Sequence, residues 1–399
     1  MTVSIGSGCH PRWPGWRTGE PGRDDVAVVR AAIWTGGLTA AEHAALAPGV
    51  PDGLDRQPDV LVVGGGAVGL ATAVACRSAG LGSVVVLERE VRLASAASGG
   101  NGGAVSPDLH ALTDPAEFVA FGRVSLALHR ELDARWGTGL RTTRWLLLWP
   151  GAGPAQLPPG YQRLDPGTVR ELEPDVALPD RVTPLLVTGQ GAVNPQRLAA
   201  VLAGHAGAVA TGVAVRGVDV TGDRITTVHT TLGDFAPGAV VMATGLVPEP
   251  WAAGVVQRRV KGHMLAVAPG PWRLSSVLSS EVGGGAPQPG GAIVCGGTFD
   301  DGDAGPEVRP EPVAALLAGL HWLLPAARGA TVTHAWCCFR PVVEGRQPVI
   351  DRLPGTTNGW VSAGHFTTGV MMSAGTGRAL AQWIGAGRRP AGLETFSLP

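Results

Sequence analysis

Residues Val60 to Cys76 run for seventeen positions without a charged side chain, and this stretch restricts the fold more than any other part of the chain. A membrane-spanning helix would need about 20 apolar residues, whereas four glycines fall within the first ten positions here. The local pattern divides the run into shorter elements. Asp59-Val-Leu-Val-Val63 is a buried-strand signal, Gly64-Gly-Gly-Ala-Val-Gly69 is a glycine-rich turn, and Leu70 to Ala79 has helical character. Gly80-Leu-Gly82 stops the helix, and Ser83-Val-Val-Val-Leu87 is a second buried strand that closes on Glu88. Strand, turn, helix and strand in that order predict a βαβ unit, and hence an α/β protein with a parallel sheet.

The glycine spacing gives this unit a chemistry. Gly64 permits a tight turn, Gly66 lets backbone approach a pyrophosphate, and Gly69 allows close helix–strand packing. The helix N-terminus then offers free amides and partial positive charge to phosphates. Glu88, nineteen residues after Gly69, stands where a carboxylate would accept hydrogen bonds from a ribose diol. The motif alone suits NAD and FAD equally, and a glycine-rich turn without a ligand has the same spacing.

Composition removes other classes. A chain of 399 residues predicts two to three domains. A net charge of −1 with 16% charged residues gives no basic surface for nucleic acid. Mean hydropathy of +0.17 and 45% hydrophobic residues exclude a disordered chain. Five cysteines (Cys9, Cys76, Cys295, Cys337 and Cys338) contain no CxxC pair, which argues against a disulfide framework, a structural zinc or any other metal site. The sequence MTVSIGSGCHPRWPGW lacks the layout of a secretory signal, so a cytoplasmic protein without a membrane partner is expected. Lys261 is the only lysine; we assign that to compositional bias.

Residues 1–57 form an N-terminal extension rich in Pro, Gly, Arg and Trp, with helices expected at 24–33 and 39–47. Thr39 and Glu42 have the spacing of a capping box. Pro48 to Pro58 reads as a linker. Downstream, strands are expected at 145–149, 182–187, 208–218, 224–230, 239–245, 260–267 and 292–296, with helices near 168–172, 195–206 and 311–323 and at the end of Gly364 to Ile384.

Two further segments make the choice between the nucleotides: the small-residue loop Ala97-Ser-Gly-Gly-Asn-Gly-Gly103 and the strand ending Ala243-Thr-Gly245. With them the chain resembles the D-amino-acid oxidase superfamily of FAD-dependent oxidoreductases, which includes glycine oxidase and sarcosine oxidase, from about Asp59 to Gly387. Gly191-Ala-Val-Asn-Pro-Gln-Arg-Leu198, Val260-Lys-Gly-His-Met-Leu265, Cys338-Phe-Arg-Pro341 with Pro348-Val-Ile350, and Gly364-His-Phe-Thr-Thr-Gly-Val370 are similar to family landmarks in the same order. The resemblance implies a Rossmann-type FAD-binding domain with a parallel sheet, expected at 58–130, 189–250 and 335–399. It also implies an α+β substrate domain with a mostly antiparallel sheet, expected at 131–188 and 251–334.

The resemblance implies a set of FAD contacts: Gly64, Gly66, Ala67, Val68, Gly69, Glu88, Arg89, Ser98, Asn101, Gly102, Gly103, Val213, Thr244, Gly245, Cys338, Gly364, Thr367, Gly369 and Val370. The backbone of 364–370 would stabilise negative charge on the flavin in the manner of an oxyanion site. Arg340 looks like the family arginine whose planar guanidinium grips a substrate carboxylate; a structural pair with Glu344 or Asp351 is the alternative. Cys338 falls where sarcosine oxidase tethers flavin through a thioether at the 8α carbon; a small buried cysteine is the alternative. His263 and His365 are the candidate catalytic histidines, with a structural histidine as the other reading of each. Trp336 and Met371 are further candidates for the pocket wall. Two departures stand out: the single tyrosine, Tyr161, lies outside any matching motif, and Ala292-Ile-Val-Cys-Gly296 lacks the lysine that sarcosine oxidases use to activate oxygen.

The expected activity is FAD-dependent oxidation of a primary or secondary amine, in the first place an amino acid. Hydride passes to flavin N5, an imine forms, and oxygen or another electron acceptor reoxidises the flavin, giving hydrogen peroxide when it is oxygen. A 2-hydroxy-acid dehydrogenase that uses His263 or His365 as general base is an alternative. A non-catalytic FAD-binding subunit or assembly factor is another.

Overall fold

The computed structural model describes residues 32–345 and 348–399. Cys9, residues 24–31 of the first expected helix and the segment examined for a leader lie outside the described residues. The seventeen uncharged residues become the strand Val60–Val63, a glycine turn and the helix Ala67–Ser78. All four residues of that strand are buried, because both faces of a parallel sheet are covered and its strands need apolar side chains on each. The sheet has six strands in the order Val349–Arg352, Gly359–Ala363, Ala239–Gly245, Val60–Val63, Val84–Glu88 and Ala208–Thr211. Only the edge strand Val349–Arg352 pairs antiparallel.

Each face of this sheet has its own apolar core. On one side Val60, Val62, Val84 and Val86 pack with Leu70, Leu198 and Leu380 from the helices Ala67–Ser78, Pro195–Ala203 and Gly369–Ala386. The first and last of these helices approach closely at Gly377, where a Cβ would run into the Ala71 backbone. On the other side Leu61, Val85 and Val240 pack with Ile225, Val228 and Phe235. Those three belong to a small antiparallel sheet of Val215–Thr221, Arg224–Thr230 and Gly233–Phe235.

A nine-stranded sheet forms the second layer and is antiparallel except where Val277–Ser280 runs parallel to Arg141–Pro150. Its order begins Val332–Val343, Gln257–Val267, Ile293–Gly296, Gly283–Pro287, Val277–Ser280, Arg141–Pro150. Leu265, Ile293 and Leu278 of this sheet pack with Leu316, Leu320 and Leu323 of the helix Pro310–Leu323. The strand bearing Cys338 and Arg340 belongs to this sheet, although the expected flavin segment begins at 335.

Two local expectations change. The stretch 208–218 is two strands in two sheets, broken after Thr211 at Gly212, whose φ of 76° turns the chain. The helix Ala116–Trp136 was absent from the expected elements, yet it buries Phe118, Val119, Gly122, Ser125, Leu126 and His129, a helical spacing. The capping box forms as expected: Thr39 Oγ1 accepts from the Glu42 amide and Glu42 Oε2 from the Thr39 amide, opening the helix Ala40–Ala45. The described part of the extension packs on the body. Trp34 is buried, its Nε1 donates to Asn101 O at 2.9 Å, and its ring meets Trp336 edge-on at 6.1 Å. No helix among the described residues is long and apolar enough to cross a membrane.

Candidate active site

A cavity of about 460 Å³ opens at the carboxyl ends of the parallel strands, where ligands bind in open α/β sheets. Gly64, Gly66, Glu88, Arg89, Ser98, Val213, Thr244 and Gly245 line it. Gly64 has φ 115°, and a Cβ there would run into the Ala243 carbonyl; a Cβ on Gly69 would run into the Gly64 carbonyl. Ala67, Val68 and Gly69 form the first turn of the helix behind the wall. The first helical bond is Leu70 N–H to Gly66 O, so those three amides have no partner within the helix. The Ala67 amide donates to Ser98 Oγ at 3.0 Å. Glu88 is fixed from both oxygens, accepting from the Gly65 amide at 2.7 Å and the Glu90 amide at 2.9 Å. Arg89 is exposed and pairs with Glu90. A carboxylate held rigid beside a glycine cradle and free helix amides fits the ribose and pyrophosphate of a dinucleotide.

Ala97 also borders a second cavity, of about 540 Å³, beneath the large sheet. Asn101, Gly102, Cys338, Arg340 and Thr367 lie on its wall. Asn101 Nδ2 donates to Thr367 O at 3.2 Å and its Oδ1 accepts from the Gly103 amide, joining the loop 97–103 to the loop 364–368. That second loop turns through Gly364 (φ 66°) and Phe366 (φ 46°). It then feeds the helix Gly369–Ala386, whose N-terminus has no side-chain cap. Gly369 and Val370 start this helix behind the wall, with Val370 in the core.

Arg340 is buried, and its Nη1 donates to Thr298 O at 2.8 Å. Its guanidinium lies over Phe299, 4.6 Å from the ring centre, and Phe299 meets Phe366 at 5.7 Å. Neither proposed carboxylate partner takes it: Glu344 pairs with Arg258, and Asp351 lies by Arg389. Among the described residues Arg340 forms no ion pair, and burial pushes its pKa down. Cys338 faces the same cavity with its sulfur against Gly100. Burial raises its thiol pKa, and the Arg340 charge opposes that rise. Cys337 points to the other side of the strand, with Sγ 3.3 Å from Pro306 O.

The two histidines do not join the site. His263 pairs across the sheet with Cys337, on the face away from the cavity. Its Nε2 accepts from the Arg309 amide, and its Nδ1 lies 3.2 Å from Thr298 Oγ1. His365 is buried without lining the cavity; burial pushes it down to about 3, and its ring contacts Thr376. Trp336 and Met371 are packed into the core instead of the wall, and Tyr161 donates to Asp108 O away from the cavity. Lys261 is buried against Asp303 and Glu307 O.

Buried neutral histidines set an acid limit on stability. His365 titrates near 3 and His129, which donates to Val370 O, near 4, both below the ordinary 6.5. The unfolded chain therefore binds more protons between those values. Their contribution is complete above about pH 6.5 and is lost as the pH falls toward 4 and 3. Urea midpoints measured between pH 7.5 and 4.5 are expected to fall, with a slope approaching about 2.7 kcal/mol per pH unit from the pair. A flat profile over that range contradicts the neutral assignment.

Sequence reading missed much of the cavity wall. Phe299 and Thr298 lie in a loop with no motif. Arg141, Thr143 and Trp145 reach the wall from the strand Arg141–Pro150, where only their every-second spacing was a signal.

Comparison with known proteins matches residues 59–383 to the family described as DAO, FAD dependent oxidoreductase. A glycine oxidase of Geobacillus kaustophilus is 29% identical over 268 residues, spanning 64% of this chain and 68% of that protein. The bifunctional protein ThiO/ThiG of Trichormus variabilis is 27% identical over 360 residues, and the chain spans 52% of its length. The crystal structure of glycine oxidase from Geobacillus kaustophilus superposes with a TM-score of 0.76 at 26% identity, covering 86% of this chain and 99% of that one.

Proposed function

The chain belongs to the DAO family of FAD-dependent oxidoreductases, and from that membership we propose that it oxidises the amine of an amino acid to the imine. At the level of the family it is an FAD-dependent amine or amino-acid oxidoreductase. When bound, FAD supplies the two-electron acceptor for the hydride leaving the substrate carbon. Arg340 carries the reading: a buried guanidinium with no ion pair among the described residues, on the wall of the cavity that continues from the nucleotide cradle. Two parallel N–H donors would hold a carboxylate there and fix the direction of the adjacent C–H bond. Thr298 O and the Phe299 ring hold the guanidinium plane.

The choice of amine over alcohol rests on the histidines. Oxidation of a 2-hydroxy acid requires a base for the hydroxyl proton. His263 and His365 lie off the cavity wall, and an amine in its neutral form needs no such base. Anaerobic mixing with a panel of amino acids, N-methyl amino acids and 2-hydroxy acids is expected to bleach the flavin absorbance with amines alone. Bleaching by hydroxy acids alone overturns the reading. Peroxide released on readmitting air would identify oxygen as the acceptor. For Cys338, burial opposes the thiolate that a tether needs, so acid precipitation is expected to leave the yellow flavin in the supernatant; a yellow pellet reverses this.

A further inference from the structure

We propose that the second cavity holds an anion subsite at Arg141, remote from Arg340, and that the substrate is an elongated amino acid ending in a second acidic group. The inference rests on the amino-acid reading of the same cavity. Arg141 and Thr143 face that cavity from one strand. Arg141 Nη2 donates to Gln288 Oε1 at 3.1 Å, and its Nη1 contacts Pro287 O at 3.4 Å. Among the described residues it forms no ion pair. Thr143 Oγ1 is buried with no hydrogen-bond partner, a polar atom awaiting one on the same wall. The sole carboxylate among the described lining residues is Glu281, exposed on the turn after Val277–Ser280. The wall therefore carries two cations with no ion pair and one exposed anion.

Sheet order sets the length of the ligand. Five strand steps separate Val332–Val343, which bears Arg340, from Arg141–Pro150. At about 4.8 Å per step the two strands lie up to about 24 Å apart along the sheet. A small amino acid held at Arg340 would leave Arg141 unmet, whereas a chain of several bonds with an acidic end would engage both. Burial also pushes the Arg141 pKa down, the direction expected of a cation without a compensating carboxylate.

The test uses the flavin-loaded protein and needs no turnover. Straight-chain α,ω-dicarboxylates of three to ten carbons (order-of-magnitude range for the span above) and monocarboxylates of matched length are titrated while the flavin spectrum is followed. One diacid length is expected to bind at least about tenfold more tightly than its matched monoacid. R141Q should remove that advantage and R141K should restore part of it, each checked for flavin content and thermal midpoint. If no diacid exceeds its monoacid by more than about twofold, or R141Q keeps the advantage, the subsite is wrong. Should R141Q fail to fold, the wild-type length series decides. Diacid preference without bleaching by any amine would retain the subsite and overturn the amine reading; bleaching by simple amino acids without diacid preference does the reverse.

Discussion

Arg340→Ala is expected to lower kcat/KM for the amino-acid substrate by on the order of 10²–10⁴-fold, while the purified protein keeps its flavin. Two charge-assisted hydrogen bonds to a carboxylate, at about 1.5–3 kcal/mol each, account for that range. Stability separates this role from a structural one. Arg340 is buried without an ion pair among the described residues, so its removal deletes an uncompensated buried charge and the thermal midpoint should hold or rise. Arg340→Lys retains the charge but not the planar fork, and should recover only part of the loss. A variant whose kcat/KM stays within about threefold of the parent would return Arg340 to a structural part.

Two glycine substitutions should separate folding from flavin binding. In Gly69→Ala the new methyl would meet the Gly64 carbonyl and lie 3.4 Å from Ala243 Cβ. Overpacking at this helix–strand contact is expected to cost about 1–3 kcal/mol of stability and, with it, flavin retention. In Gly66→Ala the backbone φ of −80° suits alanine, and the methyl would meet only Ser98, with Oγ at 3.0 Å. The apoprotein should keep its unfolding midpoint, yet the methyl occupies the surface where backbone must approach the pyrophosphate. FAD affinity, followed by flavin fluorescence, should drop by at least about tenfold. Unchanged affinity in Gly66→Ala would detach this loop from the phosphates.

Much of the nucleotide half was legible because its signals are contiguous. Strand, glycine turn, helix N-terminus and acidic strand end lie between Asp59 and Glu88, and their hydrogen bonds join near neighbours in sequence. The small-residue loop 97–103 and the loop 364–370 were legible too, since glycine and small side chains mark turns that must pass close to other backbone. The long helix Ala116–Trp136 was equally present as periodicity, and went unread beside the stronger motifs.

What the sequence by itself determined, then, is the βαβ unit, its dinucleotide cradle and the family they belong to. Only the tertiary structure decided which side chains face the substrate. Cys337 and Cys338 are neighbours in sequence, yet strand alternation sends one to Pro306 and the other to the cavity. Pairing His263 with Cys337 removes that histidine from the reaction, and pairing Gly262 with Cys338 leaves room beside Arg340. Arg141 and Arg340 lie 199 residues apart and share one wall through the order of strands in the sheet. Register and strand order are set by long-range pairing, and no local spacing in the chain encodes them.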